Sequence, residues 1–304
     1  PANCRRDRGL KPASIGHDTR MRPDDGDERF EQDDDPKPPQ RNRGGGRPSP
    51  RQPLPVAETA QETIRTFGRL LRYLPQVALV PFTAIFLVQG GIILTGGNPF
   101  ISSQPAEGPT PLLVLLVPVI MAAYVVFLVD WHRLVLFGPS AETTRPRLAL
   151  HGRDLRYFLR AIMIFFLGML AASPAIVLAP GIVSTQAGAI AMTLIGALLG
   201  ITGMMAVGLV LPATAIDRNY SIAASFDATK EVLFQVLGLV GLVLAPAYVV
   251  GISILGLNAS IFGQGGPYIP GILISLTVEF IQMALAATLL SVIFQKRAGV
   301  DTRA

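Results

Sequence analysis

The stretch that decides the fold is residues 271–294, GILISLTVEFIQMALAATLLSVIF, in which Glu279 is the one charged side chain. At about 1.5 Å per residue, a helix of this length crosses the roughly 30 Å hydrocarbon layer of a bilayer. A strand of a membrane barrel would instead show about ten residues of alternating polarity. Residues 271–294 therefore predict a transmembrane helix.

Five further apolar runs have the same character, at residues 74–95, 111–129, 161–183, 189–211 and 233–255. The chain has 304 residues, of which 50% are hydrophobic and 15% charged, and its mean hydropathy is +0.45. A soluble domain usually carries about a quarter charged residues. The sequence therefore excludes an ordinary soluble enzyme and predicts an all-α, polytopic membrane bundle of six transmembrane helices with short interfacial helices.

The charges are concentrated at the N-terminus, where residues 1–60 hold 12 of the 26 Lys and Arg and 11 of the 21 Asp and Glu. Residues 1–57 contain few large apolar side chains, so we interpret them as a disordered cytosolic tail and residues 58–304 as the transmembrane domain. The first methionine is Met21, which makes residues 1–20 a candidate for non-native sequence. No specific nucleic-acid binding is expected of the tail, because its acidic and basic blocks neutralise each other.

The positions of Lys and Arg predict the orientation of the chain. These residues lie before the first run, between the second and third, between the fourth and fifth, and after the sixth. The other three connections, residues 96–110, 184–188 and 256–270, contain none. By the positive-inside rule, both termini are cytoplasmic and the number of spans is even.

Two groups of arginines are predicted to contact lipid headgroups. Arg65, Arg69 and Arg72 belong to residues 62–73, which have the spacing of a short basic amphipathic helix lying in the headgroup plane. The second group, between the second and third runs, is Arg153, Arg156 and Arg160.

Polar residues also cluster where two runs reach the cytoplasmic boundary. Asp130, Trp131, His132 and Arg133 follow the second run, and Asp217 and Arg218 follow the fourth. An Asp and a His within one turn can share a proton, which would make a proton-handling or ligand-binding group. The favoured interpretation is structural: Trp131 is an interfacial aromatic, Arg133 reaches headgroups, and Asp130 pairs with an arginine of the same loop.

Glu279 is the one acidic or basic residue well inside a predicted span, so something must offset the cost of burying it. In the structural interpretation it is a protonated carboxyl bonded to Gln282, one turn on, or to a polar residue of a neighbouring helix. In the functional interpretation it binds a proton or cation in a water-filled cavity.

Nothing in the sequence predicts a catalytic, cofactor or metal site. Phosphate-loop, dinucleotide-binding, zinc-protease and Cys-x-x-Cys signatures are absent. Cys4 is the only cysteine, and the three histidines are His17, His132 and His151. An enzyme is therefore not the favoured interpretation, although a membrane-embedded enzyme acting on lipid stays open.

Three stretches together resemble a known group of proteins: DWHRLVLFG (130–138), GRDLRYFL (152–159) and LPATAIDR (211–218). They are similar to uncharacterised six-helix inner-membrane proteins of alphaproteobacteria, which are similar in turn to the membrane domain sometimes fused to glycerophosphodiester phosphodiesterases. Members often carry a Gly-Asn pair where this chain has Thr229-Lys230. The resemblance implies a multi-pass fold in a bacterial inner membrane and brings no catalytic residues.

Two functional hypotheses follow. The leading one is a non-enzymatic membrane protein that assembles, stabilises or tethers another membrane component, with the lipid bilayer and another membrane protein as partners. The alternative is a small-solute or ion transporter using Glu279. A closed apolar core would favour the first, and a polar cavity at mid-membrane depth would favour the second.

Overall fold

The computed structural model describes residues 53–94, 111–147, 149–182, 186–262 and 269–298. Within these ranges the regular structure is helical and no strand is present. The α-helices in chain order are α1 (Val56–Leu70), α2 (Leu74–Leu94), α3 (Pro111–Phe137), α4 (Gly152–Ile182), α5 (Gln186–Val207), α6 (Val210–Ala215), α7 (Ile222–Thr229), α8 (Leu233–Leu239), α9 (Ala245–Phe262) and α10 (Ile269–Ala298). A π-helical turn joins α8 to α9, and single 3₁₀ turns join α1 to α2 and α7 to α8.

Five helical segments of the described ranges are long and apolar enough to cross a membrane: Val56–Gly91, Leu116–Phe137, Gly152–Ala175, Ile222–Asn258 and Ile269–Ala298. The predicted multi-pass helical fold is confirmed at this level. Helix α5 has 22 residues, and its apolar part, Ile195–Val207, is shorter than the other five. Helix α5 is therefore not one of the five candidate spans of the described ranges.

The helices extend beyond the predicted runs at their polar ends. Helix α3 continues to Phe137 rather than ending near residue 129, because the following residues keep an apolar face that packs in the core. Helix α4 begins at Gly152, nine residues before the predicted run. The polar residues predicted for the boundary loops at these two places therefore lie on helices.

Helix α1 packs against the bundle through a face of small residues. Thr59, Ala60 and Thr63 are buried, and Leu54, just before the helix, is buried in the same cluster as residues of α8 and α10. Lys296 of α10 bonds Glu62 at 2.8 Å, with a second contact to Glu58. The packed part of the chain thus begins at about Leu54. Of the predicted tail, residues 1–57, residues 1–52 lie outside the described ranges.

Helix α10 forms the centre of the bundle and contacts α1, α2, α3 and α9. Its buried residues run from Leu276 to Phe294 and join two large apolar clusters. Since α10 carries Glu279 in the same stretch, this packing determines which residues surround the carboxyl.

Helices α4 and α5 form a closely packed hairpin. A Cβ on Gly168 would lie 2.5 Å from Met204 Cγ and 3.0 Å from the Gly200 carbonyl oxygen, and one on Gly203 would lie 2.8 Å from Ala171 Cβ. Such small residues let two helix backbones approach directly in a bilayer. Gly241 and Ala245 also have the four-residue spacing of a helix-packing pair, but both are exposed and a Cβ on Gly241 would meet no described atom within 4 Å, so this pair joins no two helices of the described ranges.

Candidate functional site

Glu279 is half-buried on α10 and faces α3, where the Tyr124 side chain forms a hydrogen bond with its carboxyl. The Tyr124 ring lies 6.0 Å from the ring of Phe280, the next residue on α10. The Phe280 ring packs edge-on against Phe127 at 4.6 Å between centroids, and lies 5.6 Å from the Phe82 ring. The carboxyl therefore has a phenol partner whose ring belongs to a group of packed aromatic rings.

Gln282, predicted as a partner of Glu279, reaches the neighbouring helix instead. Its amide nitrogen donates to the Ala247 carbonyl of α9 at 3.2 Å. The backbone of Gly251 leaves room for this amide, since a Cβ there would lie 2.0 Å from Gln282 Nε2. Gln282 thus joins α10 to α9, and Tyr124, which the sequence did not single out, is the neighbour of Glu279.

An arginine held between two carboxylates fixes the connection between α3 and α4. Arg147 Nε donates to both carboxylate oxygens of Asp130 at 2.8 Å, and its two terminal nitrogens donate to Asp154, also at 2.8 Å. Burial by itself would disfavour the charged form, but the hydrogen bonds to Asp154 and Asp130 raise the pKa of Arg147 above its ordinary value. We call these three residues the Arg147 clamp. The sequence predicted that Asp130 pairs with an arginine of the same loop. It did not predict that this arginine is Arg147, nor that Asp154 is a second carboxylate partner.

Trp131 and His132 point into the bundle rather than toward lipid. Trp131 is fully buried and donates from Nε1 to Thr288 Oγ1 of α10 at 2.9 Å. The prediction of an interfacial aromatic is wrong here, because α3 is still helical at this position and turns the indole toward α10. His132 is also buried, with Nδ1 2.7 Å from Ser291 Oγ and Nε2 3.2 Å from the Tyr157 hydroxyl.

The sequence did not single out Thr288, Ser291 or Tyr157. The available signal was a pair of small polar residues three positions apart on an otherwise apolar helix, which is the spacing of one helix face. Together with Trp131 and His132 they link α3, α4 and α10. Interhelical hydrogen bonds of this kind specify how helices dock in a bilayer.

The remaining boundary residues form ion pairs or are exposed. Arg133 forms an ion pair with Glu142 of the following loop, whereas the sequence predicted that it reaches headgroups. Asp217 accepts hydrogen bonds from Arg156 Nη2 at 2.6 Å and from Arg153 Nη1 at 3.3 Å. Arg218 is exposed next to them. The predicted boundary cluster therefore divides into the Arg147 clamp, the buried Trp131–His132 network and a separate group around Asp217.

The arginines predicted to contact headgroups lie in two places. Arg65, Arg69 and Arg72 are exposed on α1 and the turn after it. Arg160 donates to Thr214 Oγ1 at 2.5 Å, and Arg153 and Arg156 bind Asp217 as described.

The described residues contain no group of three or more His, Cys, Asp or Glu that could hold a metal. His132 and His151 do not face each other: His132 contacts Ser291 and Tyr157, whereas His151 Nδ1 lies 2.9 Å from Arg147 Nη1. His17 and Cys4 lie outside the described ranges.

Comparison with protein-family models, with curated proteins and with solved structures finds no match for this chain. The fold and the side-chain contacts at these sites therefore define the class of protein. At the level they define, the chain is a multi-pass helical membrane protein.

Proposed function

We propose that this chain is a bacterial inner-membrane protein with six spans and cytoplasmic termini, and that it works by associating with another membrane protein. Contacts at one end of the bundle support the orientation. His132 joins the ends of α3 and α10 to the start of α4, and Lys296 joins the end of α10 to α1. The basic connections therefore gather at one end, as the positive-inside rule requires.

Helix α5 serves as the sixth span in this proposal. At about 1.5 Å per residue its 22 residues extend about 33 Å, enough for the hydrocarbon layer. Its packing along α4 through Gly168 and Gly200 supports an antiparallel pair that crosses the membrane together. The short connection at residues 183–185 lies outside the described ranges.

The observation that carries the proposed role is the packing around Glu279. A solute pathway past this carboxyl needs a water-filled space, but its hydrogen-bond partner is the Tyr124 phenol. The Tyr124 ring lies 6.0 Å from the Phe280 ring, which in turn packs against Phe127 and Phe82. A buried tyrosine hydroxyl usually has a hydrogen-bond partner of this kind. This supports a structural carboxyl inside a closed bundle.

The surface best suited to a partner is a groove between α4 and α5 of about 500 Å³. Its floor is formed by small residues, and its rim includes Phe165 and Met169, both well exposed. Small residues allow a second helix to approach closely in a membrane, and flexible Met side chains are common at adaptable binding surfaces.

The experiment is photocrosslinking in native membranes with benzoylphenylalanine in place of Phe165. Tyr248, an exposed aromatic of α9, provides the matched control position. We expect a discrete protein adduct at position 165 and none at position 248. Lipid adducts alone at both positions would contradict the proposed role.

A transporter using Glu279 is the second candidate, because a half-buried carboxyl inside a span is a recognised proton or cation site. For a structural carboxyl, we expect proteoliposomes of the wild-type chain to show no proton or cation flux above empty vesicles. Glu279→Gln should then fold normally, as should the control Glu231→Gln at an exposed position. Wild-type flux that only Glu279→Gln abolishes would replace the association role with transport.

A further inference from the structure

A cationic surface lies where α4 enters the bundle. Arg153, Arg156 and Arg160 occupy positions i, i+3 and i+7, so they share one face of the first turns of α4. We call these three residues the arginine cluster. Helix α6 and the turn after it contribute Thr214 and Asp217 to this face.

One carboxylate serves two of these guanidinium groups. Arg156 and Arg153 both donate to Asp217, whereas Arg160 has a neutral partner, Thr214. Three positive charges therefore face one negative charge within this set, and Arg153 also interacts electrostatically with Asp130 and Asp154, the two carboxylates that Arg147 binds. In addition, Arg153 Nε is buried and has no acceptor among the described residues. The set is electrostatically suited to a second anion.

The surroundings indicate which anion. Leu155, Leu159 and Met163 are well exposed on α4 next to Arg156, and they continue the lipid-facing side of the helix. Arg156 and Asp217 are themselves 58% and 46% exposed, so a headgroup can reach them. A phospholipid would match these side chains if its phosphate lay beside the arginines and its acyl chains lay along the exposed apolar residues of α4.

We propose that the arginine cluster is a binding site for the phosphate of an anionic phospholipid such as phosphatidylglycerol, and that Asp217 competes with this phosphate for Arg153 and Arg156. Arginine binds phosphate through paired N–H donors, which makes it suited to this role. The inference requires the chain to lie in a membrane, as proposed above, but does not depend on the association role.

A substitution at Asp217 distinguishes a phosphate-binding site from a purely structural ion pair. Its φ is +57°, the one positive φ of a non-glycine residue in the described ranges, and asparagine adopts this conformation readily. Asp217→Asn therefore keeps the turn while removing the competing charge. A structural pair predicts weaker stability without any gain in lipid binding, whereas the proposed site predicts a gain.

The test is native mass spectrometry of the full chain purified from vesicles that contain equal phosphatidylglycerol and phosphatidylcholine. We expect Arg153→Gln/Arg156→Gln to lower phosphatidylglycerol retention about tenfold, and Asp217→Asn to raise it severalfold. The charge-matched control Arg145→Gln/Lys230→Gln, at two exposed positions, should retain as much as the wild type.

Three outcomes would overturn the site. These are equal loss in the control variant, no gain with Asp217→Asn, or full displacement of the lipid by millimolar inorganic phosphate, which would assign the cluster to a free ion. Carbonate extraction of every variant gives the separate readout of membrane insertion. An inserted protein without phosphatidylglycerol preference refutes this site alone, whereas failure of the wild type to insert refutes the proposed function.

Discussion

Arg147→Met is expected to lower the free energy of unfolding by about 3–5 kcal/mol, the cost typical of breaking a buried ion pair. The variant leaves the fully buried carboxylate of Asp154 and the mostly buried carboxylate of Asp130 without their guanidinium partner. Both carboxylates must then gain water or a proton, which loosens the connection between α3 and α4. Thermal unfolding in detergent at neutral pH measures the effect.

Two further variants make this prediction specific. Arg145→Met changes an exposed arginine of the same loop, so its effect should stay within about 0.5 kcal/mol. Arg147→Met combined with Asp130→Asn and Asp154→Asn removes the unpaired charges, and it should recover more than half of the loss. Equal unfolding temperatures for Arg147→Met and Arg145→Met would show that the clamp contributes nothing.

Trp131→Ala is expected to destabilise the bundle by about 3 kcal/mol, the low end for loss of a large aromatic from a core. The low end applies because helices in a bilayer gain packing contacts but little hydrophobic transfer energy. The variant also removes the bond to Thr288 and the ring contacts with Phe67 and Phe127. Its effect is measured by unfolding in mixed micelles.

The comparison with Trp131→Phe isolates the hydrogen bond, whose loss should cost about 1 kcal/mol. Phe234→Ala provides the exposed aromatic control, since Phe234 is 89% exposed on α8, and it should change stability little. A small effect of Trp131→Ala, similar to that of Phe234→Ala, would restore the interfacial interpretation made from the sequence.

The sequence predicts the properties that depend only on neighbouring residues in the chain. Apolar length and loop charge are local, so the runs ending near residues 95 and 294 correspond closely to α2 and to the core of α10. Helix rotation is not local. Whether Trp131 faces lipid or α10 depends on how α3 packs against its neighbours. Because successive residues of a helix point in different directions, residues 130–133 have different partners.

The same limit applies to the candidate sites. The sequence singles out Glu279 because a charge inside an apolar run is conspicuous, but its partner Tyr124 lies on a helix about 155 residues earlier in the chain. Likewise the sequence places Arg153 and Arg156 beside a span, whereas their shared acceptor, Asp217, is about 60 residues away. Such contacts become visible only when the packing is known.

We propose that six spans place both termini on the cytoplasmic side, with the connections around Glu107, Thr185 and Gly263 outside. The direct measurement is labelling of intact spheroplasts with an impermeant maleimide, using single cysteines in a Cys4→Ser background. We expect Glu107→Cys, Thr185→Cys and Gly263→Cys to be labelled, and Gln61→Cys and Arg303→Cys to be labelled only after lysis. Labelling of Arg303→Cys in intact spheroplasts while Gln61→Cys stays protected would indicate five spans and contradict the proposed topology.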